Sequence, residues 1–166
     1  MLVVFRVLAL ILLALLIPFL GWVLFVNTTS RESSMWYGGR PTTLGVHEGK
    51  LSGPKQTPNS VVSEGVDTAS PAYVAPIAFS GDPKAAFAKL GTVLQSLDRV
   101  TVIKADDGYL YAECRTEKMR FVDDFEARID AAAGVIHVRS ASRLGRRDMG
   151  VNRARVEMIR RKFSAR

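Results

Sequence analysis

The chain has 166 residues, enough for one domain and an additional segment. Its 23 Lys and Arg outnumber its 16 Asp and Glu, for a net charge of +7. The single cysteine, Cys114, excludes an intrachain disulfide and a cysteine-built zinc cage.

The first element is an apolar run. From Leu2 to Val26 the only charged residue is Arg6, and Val7–Val26 is interrupted only by Pro18 and Gly21. That is about the length that crosses a bilayer core. A cleaved signal peptide has a shorter core of about 7–15 residues and small residues at the cut, whereas the exit here reads LFVNTTSRE. Residues 1–26 are therefore expected to be an uncleaved single-span anchor. Arg6 and the α-amine on one side, against the dispersed Arg31 and Arg40 on the other, favour a globular part outside the cytoplasm. Trp22, Trp36 and Tyr37 suit the outer interface.

Residues 27–70 are rich in Gly, Ser, Thr and Pro (GGRPTT, SGPKQTPNS) and lack periodicity, so an extended tether is expected. Residues 71–166 read as an α+β domain. Tyr73–Phe79 is a short extended segment in which Pro76 restricts pairing to an edge. Asp82-Pro83 opens a helix over 82–98, with Phe87, Leu90, Leu94 and Leu97 on one face. Strands follow at Val100–Lys104, Tyr109–Thr116, Phe121–Asp130 and Val135–Arg143, joined by turns at Asp106-Asp107-Gly108 and Ala131–Gly134. A last helix, roughly Gly150–Phe163, presents Val151, Ala154, Met158, Ile159 and Phe163 to the core. The order β-α-β-β-β-β-α implies an antiparallel sheet with helices on one face and a polar, solvated opposite face. Leu110, Ala112 and Cys114 point to the core, which makes the thiol a small buried hydrophobe.

Candidate chemistry lies on the polar face. Asp123 and Asp124 are adjacent and point apart. Asp124 and Glu126 share a face about 7 Å apart by strand rise and could do acid–base work with His137 and Arg139. The same residues, with Glu113, Arg115, Arg128 and Arg143, could equally be cross-strand ion pairs. His137 with Ser140 or Ser142 fails as a nucleophile pair, because odd and even positions face apart. No phosphate loop, dinucleotide fingerprint or zinc-protease motif occurs, so no cofactor or metal is implied.

From Arg139 onward ten Lys or Arg face only Asp148 and Glu157, so +8 of charge is concentrated there. Asp148 is placed to cap the last helix. Arg143, Arg147, Asn152 and Arg153 could converge on that helix N-terminus as an anion- or partner-binding site.

FVDDFEARID followed by GVIHVRSASRLGRRDMGVNRARVEMIRRKF resembles the signature of the bacterial and plastid envelope proteins called domain of unknown function 1499. TPNSVVSE, with Pro58, Asn59, Ser60 and Ser63, resembles that family's Pro-Asn-Cys-Val-Ser-Ser segment, and Tyr73–Pro76, Tyr109–Glu113 and Arg115 also fit. The resemblance spans roughly Pro54–Phe163. It implies a secreted, lipid-anchored or membrane-anchored envelope protein, and it carries over Asp123, Asp124, Glu126, His137, Arg139, Ser140, Ser142, Arg143, Asp148, Asn152, Arg153, Arg155 and Glu157 as candidates. Ser60 stands where many members have cysteine, and Lys55 near where a second falls, so a thiol-dependent role is closed to this chain.

The resulting expectation is a single-pass plasma-membrane accessory protein. It would bind an anionic lipid, an envelope polymer or a membrane-protein partner through its basic C-terminal region. An envelope enzyme using the open sheet face is the alternative. Nucleic acid is disfavoured despite a pI near 9.9, because no aromatic stacking set accompanies the arginines.

Overall fold

The computed structural model describes residues 16–18, 38–106 and 108–165. The chain divides into two units, Met1–Trp36 and Tyr37–Arg166. In the first unit Leu16–Pro18 are helical. The rest of the expected anchor, with Trp22, Trp36 and Tyr37, lies outside the described residues, as does Asp107 of the hairpin turn. Among the described residues no helix is long and apolar enough to cross a membrane.

The second unit is α+β. Its elements are β1 (Val46–His47), β2 (Lys50–Leu51), β3 (Ser60–Val62), β4 (Ile77–Ala78), α1 (Pro83–Gln95), β5 (Val100–Asp106), β6 (Tyr109–Arg115), β7 (Val122–Asp130), β8 (Val135–Ser142) and α2 (Val151–Ser164). Strands β5 to β8 form an antiparallel meander, and β3 and β4 both pair with the outer edge of β8, giving the order β3-β8-β7-β6-β5 with β4 alongside. A small hairpin, β1–β2, stands apart from this sheet.

The apolar pattern dictates the helix-side face. Leu110, Ala112 and Cys114 on β6, Phe125 and Ala127 on β7, and Ile136 and Val138 on β8 are buried against Leu90, Leu94 and Leu97 of the α1 region and Val156, Ile159 and Phe163 of α2. Asp82 caps α1 by accepting the Ala85 N–H at 2.8 Å, and Pro83 takes the first turn, where a missing N–H costs nothing. In α2 the buried residues are Asn152, Val156, Ile159 and Phe163, while Val151 and Ala154 face outward. The helix is thus rotated from the expected phase, because Asn152 is drawn inward by polar partners described below.

The main departure concerns residues 38–70, expected as an extended tether. They are folded: β3 belongs to the sheet, and Leu51, Asn59, Ser60, Val61, Val62, Ser63 and Glu64 are buried. Residues 38–53 form a strap that crosses the sheet face opposite the helices. Its backbone touches side chains of β7 at Gly45 and of β8 at Gly53, and Arg40 reaches β6. A segment with few apolar residues has no periodic signal, but it can still be held by hydrogen bonds to a charged surface.

Candidate functional site

Because the strap lies across it, the polar sheet face is neither open nor wet. Asp124 is 1% exposed and Glu126 0%. Charges so far from water persist only when paired and fully hydrogen-bonded, and three clusters do this.

In the first, Arg143 donates through Nη2 to Glu113 Oε1 (2.6 Å), Asp124 Oδ1 (2.8 Å) and the Tyr111 hydroxyl (2.8 Å), and through Nε to Asp124. Arg40 from the strap donates to the same Glu113 oxygen at 2.7 Å, and the Tyr111 hydroxyl donates to Asp124 at 2.7 Å. Burial disfavours the Arg143 cation, but Asp124 and Glu113 outweigh it and raise its pKa. Burial likewise works against the Glu113 carboxylate, and Arg40 and Arg143 reverse the effect and hold its pKa low. The strap's close passage needs a glycine. Gly38 has φ +77°, and a Cβ there would lie 2.7 Å from the Arg143 Cβ.

In the second cluster Glu126 accepts the Arg139 guanidinium (3.0 Å), the Tyr109 hydroxyl (2.8 Å) and the Gly45 N–H (2.8 Å). Burial first, then the Glu126 charge, push the Tyr109 phenol pKa up, so it stays a donor.

In the third, Glu64 accepts Arg128 (2.6 Å) and the Leu51 N–H (2.9 Å). His137 Nε2 lies 3.9 Å from both Glu64 and Asp130, and its Nδ1 lies 3.2 Å from Ser63 Oγ. Burial opposes the Glu64 charge, but Arg128 and the Leu51 N–H outweigh it and lower its pKa. Ser63 Oγ also accepts the Val138 N–H at 2.8 Å, so it serves the junction of β3 and β8.

A separate polar network lies on the helix side. Arg155 donates to Asp123 (2.6 Å), and Asn152 is the hub. Its Oδ1 accepts Ser140 and Arg155, and its Nδ2 donates to Ser142 Oγ, the Asn59 carbonyl and Asp148. Asp148 also accepts the N–H groups of Asn152 (2.9 Å) and Gly150 (3.1 Å), which lowers its pKa despite burial. It therefore acts as the expected cap, reaching past Gly150, which adopts a left-handed φ of 83° at the helix start.

The sequence-level candidates are thus dispersed. Asp124, Glu126, His137 and Arg139 do share a face, but under the strap and in three clusters. Asp123 faces the helices, away from Asp124, and Ser140 and Ser142 face away from His137. Arg143, Arg147, Asn152 and Arg153 do not converge. Arg143 is held by carboxylates, Asn152 is buried, Arg153 donates to the carbonyls of Pro71 and Tyr73, and Arg147 is exposed. The physical reason is saturation: a guanidinium shared among internal acceptors has few donors left for a ligand. Among the described residues, no three His, Cys, Asp or Glu side chains gather as a metal site.

Sequence reasoning missed Arg40 and Glu64 as parts of the charged face, and the donor roles of Tyr109 and Tyr111. The alternation Tyr-x-Tyr-x-Glu on a central strand was the available signal. Tyrosine beside carboxylate on one face marks a buried polar surface rather than a wet one.

An antiparallel sheet covered by two helices on one side, and on the other by a polar strap over buried ion pairs, defines a small α+β domain. The chain belongs to the DUF1499 family, described as proteins of unknown function, whose model matches residues 50–163. No curated protein and no solved structure matches it. The Lys55 N–H, near where the family resemblance implies a second thiol, donates at 2.8 Å to the Oγ of Ser60, which stands where it implies the first.

Proposed function

We propose that the protein is a single-span, membrane-anchored accessory protein of a cell envelope, with its α+β domain outside the cytoplasm, that binds an anionic envelope component or a protein partner. The fate of the charges carries this reading. The buried ion pairs use cations and anions in equal numbers: Arg40 and Arg143 with Glu113 and Asp124, Arg139 with Glu126, Arg128 with Glu64, and Arg155 with Asp123. The net +7 is therefore left to residues outside these pairs, among which Arg146, Arg147, Arg161 and Lys162 are exposed. Such a surplus favours negatively charged surfaces. The apolar run of residues 1–26 suits a single span. The enzyme alternative would require the strap to leave the sheet before Asp124, Glu126, His137 or Arg139 could meet a substrate.

The test places the full-length chain in phosphatidylcholine nanodiscs and titrates it with vesicles containing phosphatidylglycerol. Affinity is expected to fall steeply with salt. Salt-independent binding, or no vesicle binding together with no crosslinked partner in native membranes, refutes the proposal.

A further inference from the structure

A cleft of about 690 Å³ opens where the strap, β5 and β6 meet, within the range of small-molecule sites. Its floor is Tyr109 and Tyr111, and its sides include Arg40 and Val46 from the strap and Ile103 and Lys104 from β5. Two cations stand over the floor. The Arg40 guanidinium carbon is 5.4 Å from the Tyr111 ring centroid, and Lys104 Nζ is 5.8 Å from that of Tyr109. Lys104 is also the cross-strand partner of Tyr111, the residue whose ring lies under Arg40.

Both cations keep capacity to bind. Arg40 directs Nε and Nη2 to one oxygen of Glu113 (3.1 and 2.7 Å), while among the described residues its Nη1 meets no acceptor. Its side chain is 53% exposed. Among the described residues Lys104 has one carboxylate neighbour, Asp106 at 3.4 Å, in a pair more than half exposed on both sides and therefore weakly held. Stacking on Tyr111 keeps the guanidinium plane in place, and a planar fork and an ammonium lining one cleft suit a tetrahedral oxyanion. Val46 and Ile103, 40% and 42% exposed, add an apolar wall.

We propose that this cleft binds a phosphate group carried on an apolar body, with Arg40 and Lys104 as the anion-binding cations. This rests on the anionic-component reading above and gives it a location away from the C-terminal arginines. A lipid headgroup and a free phosphate compound share this chemistry, and the experiment separates the two sources.

The full-length chain in phosphatidylcholine nanodiscs is titrated calorimetrically with inorganic phosphate and, separately, with dihexanoyl phosphatidylglycerol below its micellar concentration. Arg40→Gln and Lys104→Gln are each expected to weaken binding by about tenfold, the loss of one charge-assisted hydrogen bond. A paired Lys118→Gln, Arg120→Gln control removes two exposed charges between β6 and β7, away from the cleft, and is expected to leave affinity unchanged. Lipid bound in competition with phosphate supports a headgroup seat, and phosphate bound alone supports a free phosphate compound. Unchanged affinity in Lys104→Gln overturns the proposal, and this variant keeps the fold because the Lys104 side chain is more than half exposed and its described ion pair is with exposed Asp106. If that variant still binds phosphatidylglycerol vesicles in a salt-dependent way, the cleft is wrong and the anionic-surface reading stands. If the wild type binds neither probe nor vesicles, both fall.

Discussion

Replacing Arg143 with methionine keeps an unbranched apolar stem of similar reach and removes the guanidinium. Asp124, 1% exposed, then retains only the Tyr111 hydroxyl as a donor among the bonds described, and Glu113 retains Arg40 and Tyr111. Removing one partner of a buried pair costs about 3–5 kcal/mol, because the remaining charge is stranded. For a domain of ordinary stability, about 5–15 kcal/mol, that is a large share of the total. The companion variant Arg143→Met, Asp124→Asn removes both charges, while Glu113 stays paired with Arg40. It should recover about 1–3 kcal/mol, the usual coupling between contacting residues. Urea unfolding of the detergent-solubilised chain, followed by far-ultraviolet circular dichroism, gives the three free energies needed. A loss below about 0.5 kcal/mol in the single variant, the size of an ordinary surface substitution, would show that the strap does not exclude water from the sheet face.

The acid dependence of stability follows from the lowered carboxyl pKa values of Glu64 and Glu113. Groups whose folded pKa is depressed contribute stability above the unfolded value near 4.5 and lose it as pH falls through the folded value. The urea midpoint should therefore be level above pH 5 and fall below about 4.5, and Arg128→Met should reduce the Glu64 share; an acid limb of unchanged size in that variant would refute the assignment. Asp148→Ala removes the acceptor of the Asn152 N–H in the first turn of α2 and a partner of the Asn152 side chain, and should cost about 1–2 kcal/mol in the same assay; a smaller loss than that of an exposed Asp67→Ala control would exclude the cap. The Cys114 thiol, 1% exposed and with its pKa pushed up to about 11 chiefly by burial, should resist iodoacetamide at pH 8 and react once urea unfolds the domain; prompt native labelling would contradict its placement.

Much of the fold was legible in local pattern. Period-two alternation in β6, β7 and β8 and the leucine spacing of α1 depend only on which face of an element meets the core, so they can be read one element at a time. The Asp82-Pro83 start of α1 and the Asp148 cap were legible for a similar reason, since each acts on backbone a few residues away. The polar face could not be read in this way. Whether Asp124 and Glu126 are wet or buried depends on what lies above them, and that is the strap, joined to them across gaps such as Gly45 to Glu126 and Arg40 to Glu113.

The amino-acid sequence alone determined the α+β class, the order of the meander, the helix-facing core and the family signature, because hydrophobic periodicity and short motifs are local properties. Only the tertiary structure decided that residues 38–53 close over the sheet, that Arg139, Arg143, Arg153, Arg155 and Arg160 are spent on internal carboxylates and carbonyls while Arg146, Arg147 and Arg161 stay exposed, and that Arg40 and Lys104 are left lining a cleft. A charge has no periodicity that names its partner. Its role depends on which distant group of opposite sign, or which carbonyl, the folded chain brings within hydrogen-bond reach, and on how much water remains between them.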